Sequence, residues 1–363
     1  DNYNVAVGFA AGNAVTTGQK NTLIGGLAGD ALTDADFNVA VGHNALTADT
    51  QGSKNVAIGQ SALGDQNFTT ATDSFNTAVG HASGGSITTG VQNTFIGGLA
   101  GDATDDGTNN VAVGFEALSA NCGSGNTTVG TRAGKATTAD NNTFVGNNAG
   151  TATTTGGGNT CIGERAGDNI TTGQSNVVVG RNSGSESVNL TTGSNNVLIG
   201  PYVDTSSASA TSQFVVGYNM TGSGDQTITI GNGNGKIYNS FTANATWTQT
   251  SDKRLKKNIT PDTLGLSFIN RLETVKYNWK PSNEVDKSLP YYAEENTRDT
   301  TTVMHGLVAQ QVKEALEAEG VDTFSGWVEG VDGIQGVSRE MFISPLIKAI
   351  QELTARIEEL EGN

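Results

Sequence analysis

Twelve times between Asn4 and Gly200 the chain repeats one five-residue phrase: Asn, three residues rich in Val, Thr and Ala, then Gly. It runs from NVAVG ending at Gly8 and NTLIG at Gly25 to NVVVG at Gly180 and NVLIG at Gly200. Most copies are 16 or 17 residues apart, with two longer steps from Gly59 to Gly80 and from Gly180 to Gly200. A fixed period of this size means stacked supersecondary units, none of which can bury its apolar face alone. The residue before Gly is always Val or Ile, and the one two before that is always Val or Thr. Such period-two β-branching predicts one short strand per coil with this pair inward. The middle residue, as in Ala6, Leu23, Ala40, Phe95, Phe144, Cys161 and Leu198, is then expected to face outward. Its frequent apolarity predicts a second buried surface, most simply a subunit interface.

Three residues after the Gly stands a small residue, among them Ala28, Ala45, Ser83 and Ala166. A second short strand with a small inward side chain is expected there, so each coil is thin and two-layered. The Gly permits a tight bend, and Asn can bond backbone groups of the next coil in a ladder. At a strand spacing of roughly 4.8 Å, twelve coils give a rod on the order of 55 Å long. The two long steps are insertions, residues 64–75 and 185–195, and insertions of this kind map to loops on one face. Phe68, Phe75 and Asn189 within them are the candidate receptor contacts. Beyond Gly200 the period degrades, and residues 201–250 read as a β transition in which Trp247 helps close the end of the roll.

Charge narrows the partners. The net charge is −16; residues 1–250 carry 7 Lys+Arg against 17 Asp+Glu, and the remainder 13 against 19. Neither half has the basic field that phosphate-backbone binding needs, so no nucleic acid is expected. No run approaches the roughly 18 apolar residues of a membrane span, and no membrane insertion is expected. Asp1 begins inside a repeat, so a missing upstream part is expected, through which the chain joins other proteins. Cys122 and Cys161 are too few for a disulfide framework. Asp30, Asp102 and Asp168 follow a Gly but lack the dense carboxylates of a calcium loop, and they read as turn-stabilising residues. His43 and His81 stand two coils apart, too far to share a metal within one chain. No metal and no cofactor is expected. The Thr-Thr-Gly turns at Thr16, Thr88, Thr171 and Thr191 do not make a flat Thr array.

Composition breaks at one point, Ser251-Asp252-Lys253-Arg254-Leu255-Lys256. After it comes a charged tail of mixed α and β character, residues 251–363. HGLVAQQVKEALEAEG predicts a helix with Leu307, Val308, Val312 and Leu316 on or near one face, ended by Gly320. The last helix, about 343–361, carries Leu346, Ile350, Leu353, Ile357 and Leu360 at spacings of 4, 3, 4 and 3, a coiled-coil seam. At the break itself, a hydroxyl and an amine five residues apart can act as nucleophile and base. The same residues also suit a solvated helix start with Ser or Asp as cap.

SDKRLKKNI, the apolar series Leu264, Leu266, Ile269 and Leu272, then VKYNWK, HGLVAQQV and ISPLIKAIQELTARIEELE together resemble the C-terminal intramolecular chaperone domain of endosialidases. That domain also occurs on phage tailspikes and tail fibres. The resemblance covers Ser251 to about Leu360, and it implies a cut between Thr250 and Ser251 with Ser251 and Lys256 as the catalytic dyad; His305 is the fallback base. The repeat resembles the head repeats of trimeric autotransporter adhesins, which implies a left-handed parallel β-roll assembled as a homotrimer. Together these predict a mostly β, homotrimeric solenoid of residues 1–200, followed by a small α+β chaperone domain. The expected role is a virion tail fibre that binds a host-cell surface receptor, glycan or protein, and is extracellular when assembled. Its chaperone domain is expected to be released during assembly in the host cytoplasm. A cellular surface adhesin and a tailspike glycan depolymerase with an intersubunit site are the alternatives.

Overall fold

The computed structural model describes residues 2–241, 248–289, 291–330 and 332–362, so Trp247 lies outside the described residues. The chain divides into two compact units, Asp1–Ser251 and Asp252–Asn363. The first is a mostly β, parallel solenoid of about 13 turns. One strand per coil, from Val5–Val7 and Thr22–Ile24 to Val197–Ile199, pairs in parallel and in register with the strands before and after it. The pairing does not stop at Gly200. Phe214–Tyr218 and Thr227–Asn232 add two further parallel rungs, after which Gly235–Ser240 and Thr248–Gln249 pair antiparallel. The motif is lost there, yet the coil survives, because Gln213 takes the place of the repeat Asn and donates its N–H to the Asn196 side chain.

The strand faces are the reverse of the expectation. The middle residues Leu23, Ala40, Phe95, Phe144, Cys161 and Leu198 are buried in the core, while the flanking Val, Thr and Ile positions lie outward, with Ile24, Ile58, Ile96, Ile162 and Ile199 exposed. The Asn sets this parity. Asn21 Oδ1 accepts the backbone N–H of Asn38, Asn38 Oδ1 that of Asn55, and the series continues unbroken to Asn196. Such a ladder works only inside the coil, away from competing water, so Asn points in and alternation then buries the residue two places on. The small residues after the Gly are also buried, but in a turn rather than in a second strand. The residue before each of them is left-handed, for example Leu27 (φ 58°), Asn44 (φ 58°) and Leu99 (φ 58°), which no extended strand tolerates.

Core volume is traded between two positions. In three coils with Ala in the middle (Ala40, Ala57, Ala112), a Leu stands four residues after the Gly (Leu46, Leu63, Leu118), and all six are fully buried. Where the middle residue is Phe, that position is Gly, because a Cβ on Gly101 would lie 2.7 Å from the Phe95 ring and one on Gly150 2.6 Å from Phe144. The repeat Gly itself is fixed by coil stacking. Gly25 has φ 136°, and a Cβ there would lie 2.5 Å from the carbonyl oxygen of Gly42.

The second unit holds helices α1 (Leu266–Arg271), α2 (Ala309–Ala318) and α3 (Ile343–Glu361) with two antiparallel strand pairs, Val275–Tyr277 with Met304–Gly306 and Trp327–Glu329 with Gln335–Val337. Its core gathers Leu264, Phe268, Val312, Ala315, Leu316 and Phe342. Phe268, Phe324 and Phe342 pack ring on ring with centroids 5.2 to 6.1 Å apart. Leu307 and Val308, expected on α2, precede it, and Leu307 packs against the core from outside the helix. Gly320 (φ 69°) ends α2 as expected.

Candidate cleavage seam and candidate receptor loops

The break in composition is also a break in compactness, since one unit ends at Ser251 and the other begins at Asp252. Thr250 and Ser251 are both exposed, so the peptide bond between them is open to attack. Asp252 caps a short 3-10 turn, Lys253–Leu255, by accepting the Arg254 N–H at 2.8 Å. Its carboxylate also takes the Arg254 guanidinium at 2.6 Å, and those Arg254 hydrogen bonds hold the Asp252 carboxyl below its ordinary value. Both residues of the helix-start alternative are thus accounted for, with Asp252 rather than Ser251 as the cap. Lys256 closes this turn by donating its N–H to the Lys253 carbonyl at 3.1 Å, and its side chain is exposed.

His305 sits opposite Lys276 on the strand pair of the second unit and is exposed. It lines a groove of about 610 Å³ whose apolar wall is Ile269, Leu272, Val275, Leu307, Phe342 and Leu346, with Lys276 and Arg339 also lining it. On the outer surface of α3, Ile350, Leu353, Ile357 and Leu360 are all exposed, and Leu360 retains 86% of its surface. The seam read from their spacing is therefore an exposed apolar stripe in one chain.

The two insertions are built alike. In the first, Asp49 is buried, and its carboxylate accepts the backbone N–H groups of Gly52 and Phe68, each at 3.0 Å, and the Gln66 amide at 2.6 Å. Burial pushes the Asp49 carboxyl above its ordinary value, against the pull of these bonds. Phe68, expected among receptor contacts, is corrected by this geometry: only 8% of it is exposed, and it packs the insertion down. Phe75 is exposed, with Lys54 Nζ 5.0 Å from its ring centre. In the second insertion, buried Asp204 accepts the N–H groups of Glu186, Ser187 and Val188 at 3.2, 2.6 and 3.1 Å, and Asn189 beyond them is exposed. Lengthening has a local cost. Regular coils offer the ladder amide a carbonyl 14 residues on, as Asn38 finds Gly52 at 2.9 Å, but the first insertion displaces that group and Asn55 Nδ2 is buried without an acceptor among the described residues. Asp49 and Asp204 escaped sequence reasoning because an Asp in a turn looks the same whether it faces water or three buried N–H groups.

A family model described as the chaperone of endosialidase matches residues 251–321. It begins at the seam residue and covers the first strand pair and α2, which supports a C-terminal intramolecular chaperone domain. No curated protein matches the chain, and no solved structure does.

Proposed function

We propose that three copies of this chain form a virion tail fibre whose solenoid presents receptor-binding surface, and that the second unit aligns the copies and is then cut off between Thr250 and Ser251. One coincidence carries the reading: the compact-unit boundary, an exposed peptide bond and the start of the chaperone match fall within two residues of one another. The outward Val and Ile stripe of the solenoid and the bare seam on α3 support assembly of like copies, since aligned chains remove both from water. In the cut, Ser251 Oγ attacks the Thr250 carbonyl carbon while Lys256 Nζ takes the hydroxyl proton. The Thr250–Ser251 C–N bond breaks, the Ser251 amine leaves with a proton, and the acyl group rests on Oγ as an ester that water opens. Taking up that proton requires the neutral amine, and covering an amine from water favours its neutral form. Assembly that covers Lys256 supplies the desolvation, so release follows completed alignment. The outer surface and insertion loops of the solenoid are left on the virion to meet a host-cell receptor.

The test is full-length protein on a denaturing gel. Wild type is expected as fragments 1–250 and 251–363, whereas Ser251→Ala and Lys256→Ala stay intact yet sediment as trimers. Normal cleavage of Ser251→Ala at the same bond overturns the dyad.

A further inference from the structure

The residue just before each ladder Asn is left-handed throughout the solenoid, and most coils fill it with residues suited to an exposed turn, such as Asn109, Asn141, Asn195 and Gly158. The early coils do not. Four consecutive ones place Lys20 (φ 56°), Phe37 (φ 59°), Lys54 (φ 66°) and Phe75 (φ 50°) there, stacked along one edge. A bulky aromatic with φ above zero is an outlier that folding does not ask for, because Asn fits the same spot in the same coil type. Both rings are also left in water, Phe37 48% and Phe75 49% exposed. Each ring carries the ammonium of the lysine one coil earlier, Lys20 at 4.8 Å from the Phe37 centre and Lys54 at 5.0 Å from Phe75. In an acidic repeat the other cations of regular coils are spent on carboxylates: Arg132 and Lys135 on Glu116, Arg165 on Asp168, Arg181 on Glu164. Lys54 is shared with Asp73 at 2.5 Å, and Lys20 makes no ion pair among the described residues.

We propose that Lys20, Phe37, Lys54 and Phe75 form a binding strip for an acidic polysaccharide running along the coil axis. The strip rests on the receptor-binding reading above and gives it a site and a ligand class. Like rungs lie two coils apart, roughly 10 Å, the span of a two-sugar repeat, so ring faces and charges can each meet alternate sugars. Pyranose faces stack on exposed rings, and lysines meet uronate or sialate carboxylates. A dry contact with another subunit fits less well, since it would bury two ammonium groups on each copy, of which only Lys54 has a carboxylate beside it.

Full-length protein is titrated with alginate, polygalacturonate and polysialate oligosaccharides, and with neutral maltooligosaccharides, at two salt concentrations. Binding to at least one acidic probe is expected, about tenfold tighter than to the neutral one and weakening with salt. Phe37→Asn and Phe75→Asn are each expected to lower that affinity about tenfold while the melting temperature stays level or rises, because Asn already occupies this site in other coils. Lys20→Gln is expected to cost more than Lys54→Gln, whose charge Asp73 already shares. Equal binding of acidic and neutral probes, no binding of any acidic probe, unchanged affinity in all four variants, or Phe variants that dissociate the trimer would each overturn the strip. Whole-cell attachment separates this from the broader reading: wild type that holds host cells with the strip variants unaffected removes only the strip, whereas wild type that holds neither cells nor glycans removes the receptor role too.

Discussion

Gly101 shows how tightly single residues are set in this core. Its φ is 60°, and the Phe95 ring occupies the space a Cβ would take. Gly101→Ala should therefore cost roughly 2–4 kcal/mol, from overpacking and left-handed strain together, read as a lowered thermal or denaturant midpoint. Asp49 makes a prediction of a different kind. Because burial raises its carboxyl in the folded coil, that coil holds the proton more tightly than the unfolded chain does. Its contribution is fullest below the ordinary carboxylate range and is lost as pH rises through the raised value. Hydrogen exchange at the Phe68 amide should then quicken over that window beyond its intrinsic pH dependence, and Asp49→Asn should flatten this excess. Neither residue stands out in the sequence, yet the ladder did announce itself. Twelve regularly spaced Asn residues require interior placement, and that parity makes Phe95 and Phe144 core residues rather than outer-face ones.

Among the elements, α1 is short and begins at Gly265, which offers no side-chain cap. Glu352 of α3 supplies one instead, its carboxylate accepting the Leu266 N–H at 2.8 Å. Losing a cap of this kind costs about 1 kcal/mol. Glu352→Ala should destabilise the second unit by that amount and speed exchange of the Leu266 amide, while Glu352→Gln should retain part of the protection. A contact 86 residues apart in sequence leaves no local trace, which is why the tail was legible as helices and strands but not as a packed unit. Helix α3 was the opposite case. Its 4, 3, 4, 3 spacing survives in the structure as the bare stripe from Ile350 to Leu360, because heptad spacing depends on the helix alone.

At the scale of the whole molecule, near-identical coils can pair one coil out of step at little cost, since every rung offers the same Asn and Gly. Deleting residues 251–363 should yield aggregated or misaligned solenoid in place of the trimer proposed above, and sedimentation decides it. A stack of in-register parallel strands has another hazard: its last rung is a template on which a further chain can add, as in fibrils. Here Gly235–Ser240 turns back antiparallel over Thr227–Asn232 and is itself covered in part by Thr248–Gln249. A parallel coil arriving at that end meets strands of the wrong polarity. The hairpin lies upstream of Thr250, so a solenoid cut there as proposed would still carry its own stop against polymer growth, and what ends one molecule would also keep molecules apart.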